Sequence, residues 1–127
     1  MDSAVPGTDV CESPQHVPPE EARPINPGSA EAAARLFRAL GDGARLRILA
    51  HLLDRERCVG DLAELEGEAL STISQRLRVL RTENIIVRRR QGKHVNYALA
   101  DRHVRELVTN ALAHASETGP QRSGESE

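Results

Sequence analysis

Aromatic residues are nearly missing from this 127-residue chain: Phe37 and Tyr97 are the whole complement, and there is no tryptophan. A core must then come from Leu, Ile, Val and Ala, which favours packed helices over a β-sandwich. An aliphatic core of this size leaves little stability in reserve, so assembly as a dimer is expected. Long apolar runs are missing too, which excludes a membrane-spanning helix, and no secretory signal opens the chain. The expected location is the cytoplasm. There the two cysteines, Cys11 and Cys58, stay reduced and available to a metal ion. Enzyme chemistry has no foothold either: the sequence shows no nucleophile–base pair and no glycine-rich phosphate loop, so no organic substrate is expected.

The formal net charge of −2 conceals an uneven distribution. Residues 1–30 carry Asp2, Asp9, Glu12, Glu20 and Glu21 against Arg23 alone. Residues 72–93 carry Arg76, Arg78, Arg81, Arg88, Arg89, Arg90 and Lys93 against Glu83 alone. The second block is suited to a polyanion.

Six of the seven prolines fall in residues 1–28, which show no helical or strand period and read as a flexible arm. Residues 119–127 read as a disordered tail, leaving 29–118 as the folded domain. Ser29 is placed to cap a first helix through Leu40, with Ala33, Leu36, Phe37 and Leu40 at helical spacing. Gly41-Asp42-Gly43 breaks it, and a second helix follows with Leu46, Leu49, Ala50 and Leu53 inward. Cys58-Val59-Gly60-Asp61 opens a short third helix that Gly67 ends. Ser71 is placed to cap a fourth, running to Asn84, with Ile73, Leu77 and Leu80 buried. Residues 85–99 read as a hairpin turning near Gly92, and Asp101 caps a last helix to about Glu117. The fold class is mainly α with a β-hairpin, in the order ααααββα.

Two short helices joined by a glycine turn, the second polar and basic on one face, make a helix-turn-helix. The first turn of the fourth helix offers Ser71, Thr72, Ser74 and Gln75, short polar side chains at a positively polarised helix end that suit phosphates and base edges. Arg76 and Arg78 add charge. Arg88, Arg89, Arg90 and Lys93 make the hairpin a wing for the DNA backbone or minor groove. The bland alternative is a solvated amphipathic helix beside an edge strand guarded by charge.

Ligand-type residues fall into two groups. On the last helix, Asp101 and His103 precede His114 and Glu117. His103 and His114 are eleven residues apart, on nearly the same face but about 16 Å apart along the axis, too far to share one ion. Two copies packed antiparallel would bring the Asp101/His103 end of one to the His114/Glu117 end of the other. Two imidazoles and two carboxylates fit tetrahedral zinc, and a symmetric dimer would carry the site twice. The second group is Cys58 and Asp61 at the start of the third helix, with Cys11 and His16 on the arm; a helix N-terminus favours thiolate. The alternatives are surface polar residues on an amphipathic helix, a buried structural Cys58 and an incidental Cys11. His51 and His94 have no comparable partners and read as structural.

These residues resemble the ArsR/SmtB family of metal-sensing repressors over about residues 29–118. The marks are Arg57-Cys58-Val59-Gly60-Asp61-Leu62-Ala63, then Ser74-Gln75-Arg76-Leu77-Arg78-Val79-Leu80-Arg81, then Arg90-Gln91-Gly92-Lys93-His94-Val95-Asn96-Tyr97, completed by the Asp-x-His and His-x-x-Glu pairs of the last helix. The zinc-sensing members are the most similar. The resemblance implies a winged-helix homodimer joined through its first and last helices, bound to double-stranded operator DNA when metal-free and released by metal. It implies the ligand sets Asp101, His103, His114, Glu117 and Cys58, Asp61, Cys11, His16. The implied ion is zinc, with cadmium, cobalt and cuprous ion as the other candidates. Four residues separate Cys11 from His16 where the zinc-sensing members have three. Gly60 stands where the arsenic, lead and cadmium branches have a second cysteine, which argues against arsenic. A winged-helix regulator of a non-metal signal and an intracellular metal-buffering protein are the competing functions; buffering leaves the basic hairpin without a purpose.

Overall fold

A computed structural model describes residues 14–15 and 18–118. A 3₁₀ turn at Pro19–Glu21 precedes five helices and a hairpin: α1 Pro27–Leu40, α2 Gly43–His51, α3 Val59–Glu66, α4 Leu70–Thr82, β1 Ile86–Gln91, β2 His94–Leu99 and α5 Arg102–Thr118. Helix α2 lies at the centre, packed against α1, α3, α4 and α5. Among the described residues the fully buried positions are all aliphatic, including Ile48, Leu49, Leu52, Leu62, Ile73, Leu80, Ile85 and Val108. No helix among the described residues is long and apolar enough to cross a membrane.

Short side chains and glycines set most boundaries. Asp42 caps α2, its Oδ2 accepting from Arg45 N at 3.0 Å, and Asp101 caps α5 by accepting from Val104 N at 2.9 Å. Gly67 ends α3 at φ 65°, a left-handed conformation that glycine adopts without steric penalty. Gly92, at φ 62°, turns the hairpin, whose antiparallel register pairs Ile86 with Leu99 and Gln91 with His94.

Some boundaries and faces differ from those the sequence predicts. Asn26, not Ser29, caps α1, accepting from Gly28 N at 2.8 Å, with Pro27 in the first helical position; proline is preorganised there because its missing N–H would be unpaired anyway. Ala69, with no side-chain cap, precedes α4, so Ser71 lies inside the first turn. That helix stops at Thr82, and Asn84 turns the chain at φ 60°. On α2 the deepest residues are Ile48 and Leu49, with Leu52 just after it, while Leu46 and Leu53 are only partly buried. On α1 Leu40 is buried and Leu36 packs on the core, but Ala33 is exposed and Phe37 is 57% exposed. Phe37 instead lines an apolar groove of about 200 Å³ with Leu40, Leu46, Leu107, Val108 and Ala111. The apolar stripe of α1 is wider than the core of one chain.

Candidate nucleic-acid interface and metal-donor helix

Ile73, Leu77 and Leu80 bury one face of α4 and so turn Ser71, Ser74, Gln75 and Arg78 outward, all exposed, with Thr72 half-buried. The turn before α4 is closed by Glu68 N donating to Ala63 O at 3.0 Å. No side chain caps the first turn of α4, so its N–H groups face outward at the positive end of the helix dipole. Arg76 departs from this face. Its Nη2 lies 3.8 Å from Glu68 Oε2, and its Nη1 is buried without a hydrogen-bond partner, so the side chain braces the turn.

Helix α2 is tied to the end of α3 by a polar cluster that sequence spacing does not reveal. Glu66, with its side chain only 7% exposed, meets Arg47 Nε at 2.8 Å and His51 Nε2 at 2.7 Å. The hydrogen bond from Arg47 is the main reason its carboxyl is held below the ordinary carboxylate range, and burial opposes it. A carboxylate at the last residue of α3 lies at the unfavourable end of that helix dipole, and the two partners offset this.

The wing carries its charges on different terms. Arg88, Arg90 and Lys93 are exposed, and Arg89, its side chain 57% exposed, also lies 3.3 Å from Glu56 Oε2. Arg57 bridges to Tyr97 on β2, adding a single rung to the hairpin. Neither Glu56 nor this bridge carries a sequence signal, because the partners lie more than thirty residues apart in the chain.

Of the donor residues, Asp101 and His103 sit together at the start of α5. His103 Nδ1 is 4.0 Å from Asp101 Oδ1, with side chains 82% and 57% exposed. His114 and Glu117 are exposed near the other end of the same helix. Cys58 is the N-cap of α3, its Sγ accepting from the backbone N–H of Asp61 at 3.4 Å. Cys11 and His16 lie outside the described residues. Among the described residues, no three ligand-type side chains of one chain converge on a point that could hold an ion. The α5 donors are of the N/O type that zinc accepts, and each end of the helix offers two of them.

Comparison with known proteins gives concordant results. The model described as "Bacterial regulatory protein, arsR family" matches residues 42–87. The chain is 36% identical over 114 residues to a transcriptional repressor SmtB homolog of Synechocystis sp., covering 86% of each chain. It is 40% identical over 85 residues to the HTH-type transcriptional regulator KmtR of Mycobacterium tuberculosis, covering 67% of this chain and just under two thirds, 65%, of that protein. It is also 40% identical over 85 residues to a cadmium resistance transcriptional regulatory protein CadC homolog of Staphylococcus aureus, covering 66% and 70%. Among solved structures it is similar to the homodimeric winged helix-turn-helix DNA-binding domain of a Mycobacterium bovis protein, with TM-score 0.67 and 32% identity over 76% of this chain and 91% of that one.

Proposed function

We propose, from the premise that this chain belongs to the arsR family of bacterial regulatory proteins, that it is a cytoplasmic homodimeric repressor that holds operator DNA when metal-free and lets go on binding zinc or a related divalent ion. The family is one of transcriptional regulators, not enzymes, and the winged helix-turn-helix is its DNA-binding fold. Relatives named as an SmtB-type repressor and a cadmium resistance regulator support a metal as the signal.

One observation carries the DNA half of the reading: α4 and the hairpin present Ser71, Ser74, Gln75, Arg78, Arg88, Arg90 and Lys93 on exposed surface. Thr72 completes the first turn of α4. Gln75 and the serines suit base edges and phosphates; the exposed cations of the wing suit phosphates.

The second half rests on α1 and α5. The groove holding Phe37 takes the same groove of a second copy, as an isologous interface requires. Antiparallel α5 helices then set Asp101 and His103 of one protomer beside His114 and Glu117 of the other. Zinc, when bound, supplies a divalent charge that joins ligands from both chains. The imidazole of His103 orients through its second ring nitrogen toward a neighbouring acceptor. The two α5 helices thereby fix the spacing of the recognition helices, and a spacing unsuited to successive major grooves disfavours DNA. Cys58 and Asp61, joined by Cys11 and His16, form a second site of softer character that favours cadmium or cuprous ion.

A fluorescence-anisotropy titration of the duplex upstream of the gene, with chelator and then with zinc, tests the reading. Tight binding with chelator that zinc reverses is the expected result; equal affinity in both conditions refutes metal control, and no binding in either refutes operator recognition.

A further inference from the structure

The segment ahead of α3 holds both strands of the wing. Arg57 N donates to Tyr97 O at 3.1 Å, and Tyr97 N donates to Arg57 O at 2.8 Å. One residue earlier, Glu56 Oε2 lies 3.3 Å from Arg89 Nη1. Tyr97 faces Arg88 across the hairpin and Asn96 faces Arg89, so the two links grip neighbouring rungs, one link on each strand. The segment is itself fixed, since Arg57 Nε donates to His51 O at 2.7 Å and Arg57 Nη2 to Asp54 Oδ1 at 3.2 Å. Beyond the gripped rungs only Arg90–Val95, Gln91–His94 and the Gly92-Lys93 turn extend. Successive strand residues point to opposite faces, so Arg88 and Arg90 project away from the face that carries Arg89. An isolated two-stranded hairpin is marginal in water, and ordering it only on binding would cost affinity.

We infer that Arg89 is a positioning residue and not a phosphate contact: with Glu56 it clamps the base of the wing to the body and sets where the free, DNA-gripping tip begins. Arg89 is already paired with a carboxylate at the surface, whereas no ion pair holds Arg88, Arg90 or Lys93 among the salt bridges of the described residues, and these are left for the backbone. This rests on the reading of the hairpin as a DNA-binding wing.

The salt dependence of affinity separates the two roles, because removing one phosphate-binding cation flattens the log–log slope by about 0.9. The probe is a fluorescein-labelled duplex of mixed sequence, titrated with the full chain over a series of salt concentrations. Arg88→Ala and Lys93→Ala are each expected to flatten the slope by about one such increment. Glu56→Gln and Arg89→Gln are expected to weaken binding equally, by about two- to fivefold for a partly exposed pair, with the slope nearly unchanged. The double variant should be no weaker than either single, and the exchanged pair Glu56→Arg with Arg89→Glu should recover the affinity. The anchor is overturned if Arg89→Gln flattens the slope as Arg88→Ala does, if Glu56→Gln changes nothing, or if the exchanged pair fails to recover while melting like the parent. If Arg88→Ala and Lys93→Ala leave both affinity and slope untouched, the wing reading itself fails and the anchor with it.

Discussion

Between α3 and β2 every bend is closed by a device inside the same chain; along α1 and α5 the chain stops short of completing what it begins. In the first region Cys58 caps α3, Gly67 turns out of it, the Glu66 cluster ties it to α2, and Gly92 closes the hairpin. In the second, Phe37 lines an open apolar groove with Leu107 and Ala111, and the ligand-type residues stand at opposite ends of one helix. A protein that must read DNA with fixed geometry, yet change the spacing between two such readers, would be built this way. On the proposed reading, the reader is held within the protomer and adjustment is left to the interface.

The sharpest way to break this comparison is to charge the unfinished surface. Phe37→Glu places a carboxylate in the groove of α1 and α5, where it is solvated in the single chain but desolvated in a pair. Sedimentation should show a monomer at concentrations where the parent is a dimer. Operator affinity should fall by about a hundredfold or more, because two linked half-site contacts become one. Circular dichroism should show an intact fold. A Phe37→Glu protein that remains dimeric would place the interface elsewhere.

Next in size is the switch. His103→Gln should bind the operator as the parent does yet lose zinc-driven release, a coupling of about 1–3 kcal/mol in systems of this kind. Cys58→Ser should keep the release, since the ligands proposed for the switch lie at the two ends of α5 and not on α3. The assignment fails if His103→Gln still releases DNA with zinc and Cys58→Ser does not.

Within the finished region, Glu66→Gln should cost about 1–3 kcal/mol of stability, read by urea unfolding, because its hydrogen bond from the charged Arg47 is weakened and the contact with His51 is disturbed. The folded carboxyl lies below its ordinary value, so the native state holds the charged form more strongly than the unfolded chain does. The stabilisation is therefore complete above about pH 4.3, the unfolded value of a glutamate, and drains away as pH falls below it. The parent and Glu66→Gln should converge in stability at low pH; a gap that stays constant with pH would assign the loss to packing.

Legibility in the sequence follows the same division. The helix order, the hairpin, Gly67, Gly92, Asp42 as part of the first break and Asp101 as a cap are all readable, because each acts on residues within one turn of itself. The inward stripe of α4 is readable because period alone sets it. Glu56 with Arg89, Glu66 with Arg47 and His51, and Arg57 with Tyr97 are not, because each joins elements that meet only after folding. Phe37 misleads for a different reason: an interface stripe and a core stripe have the same helical period, and one sequence does not say which second surface will cover it.

The smallest effects concern three short polar side chains. Ser29 and Ser71 both have the chemistry of an N-cap, yet the structure gives the capping of α1 to Asn26 and leaves α4 without a side-chain cap. Asn26→Ala should therefore lower stability by about 0.5–2 kcal/mol, as loss of a capping oxygen does. Ser29→Ala should be neutral or slightly stabilising, since alanine is the better residue inside a helix. Ser71→Ala should likewise leave unfolding unchanged while weakening the operator complex, because that hydroxyl projects from the exposed first turn of α4 and holds no helix end. Urea unfolding of the three variants beside the parent, followed by anisotropy with the upstream duplex, separates the roles. A stability loss in Ser71→Ala as large as that in Asn26→Ala would mean that the hydroxyl caps α4 after all, and any loss of DNA affinity in that variant would then reflect a frayed recognition helix instead of a missing hydrogen bond to DNA.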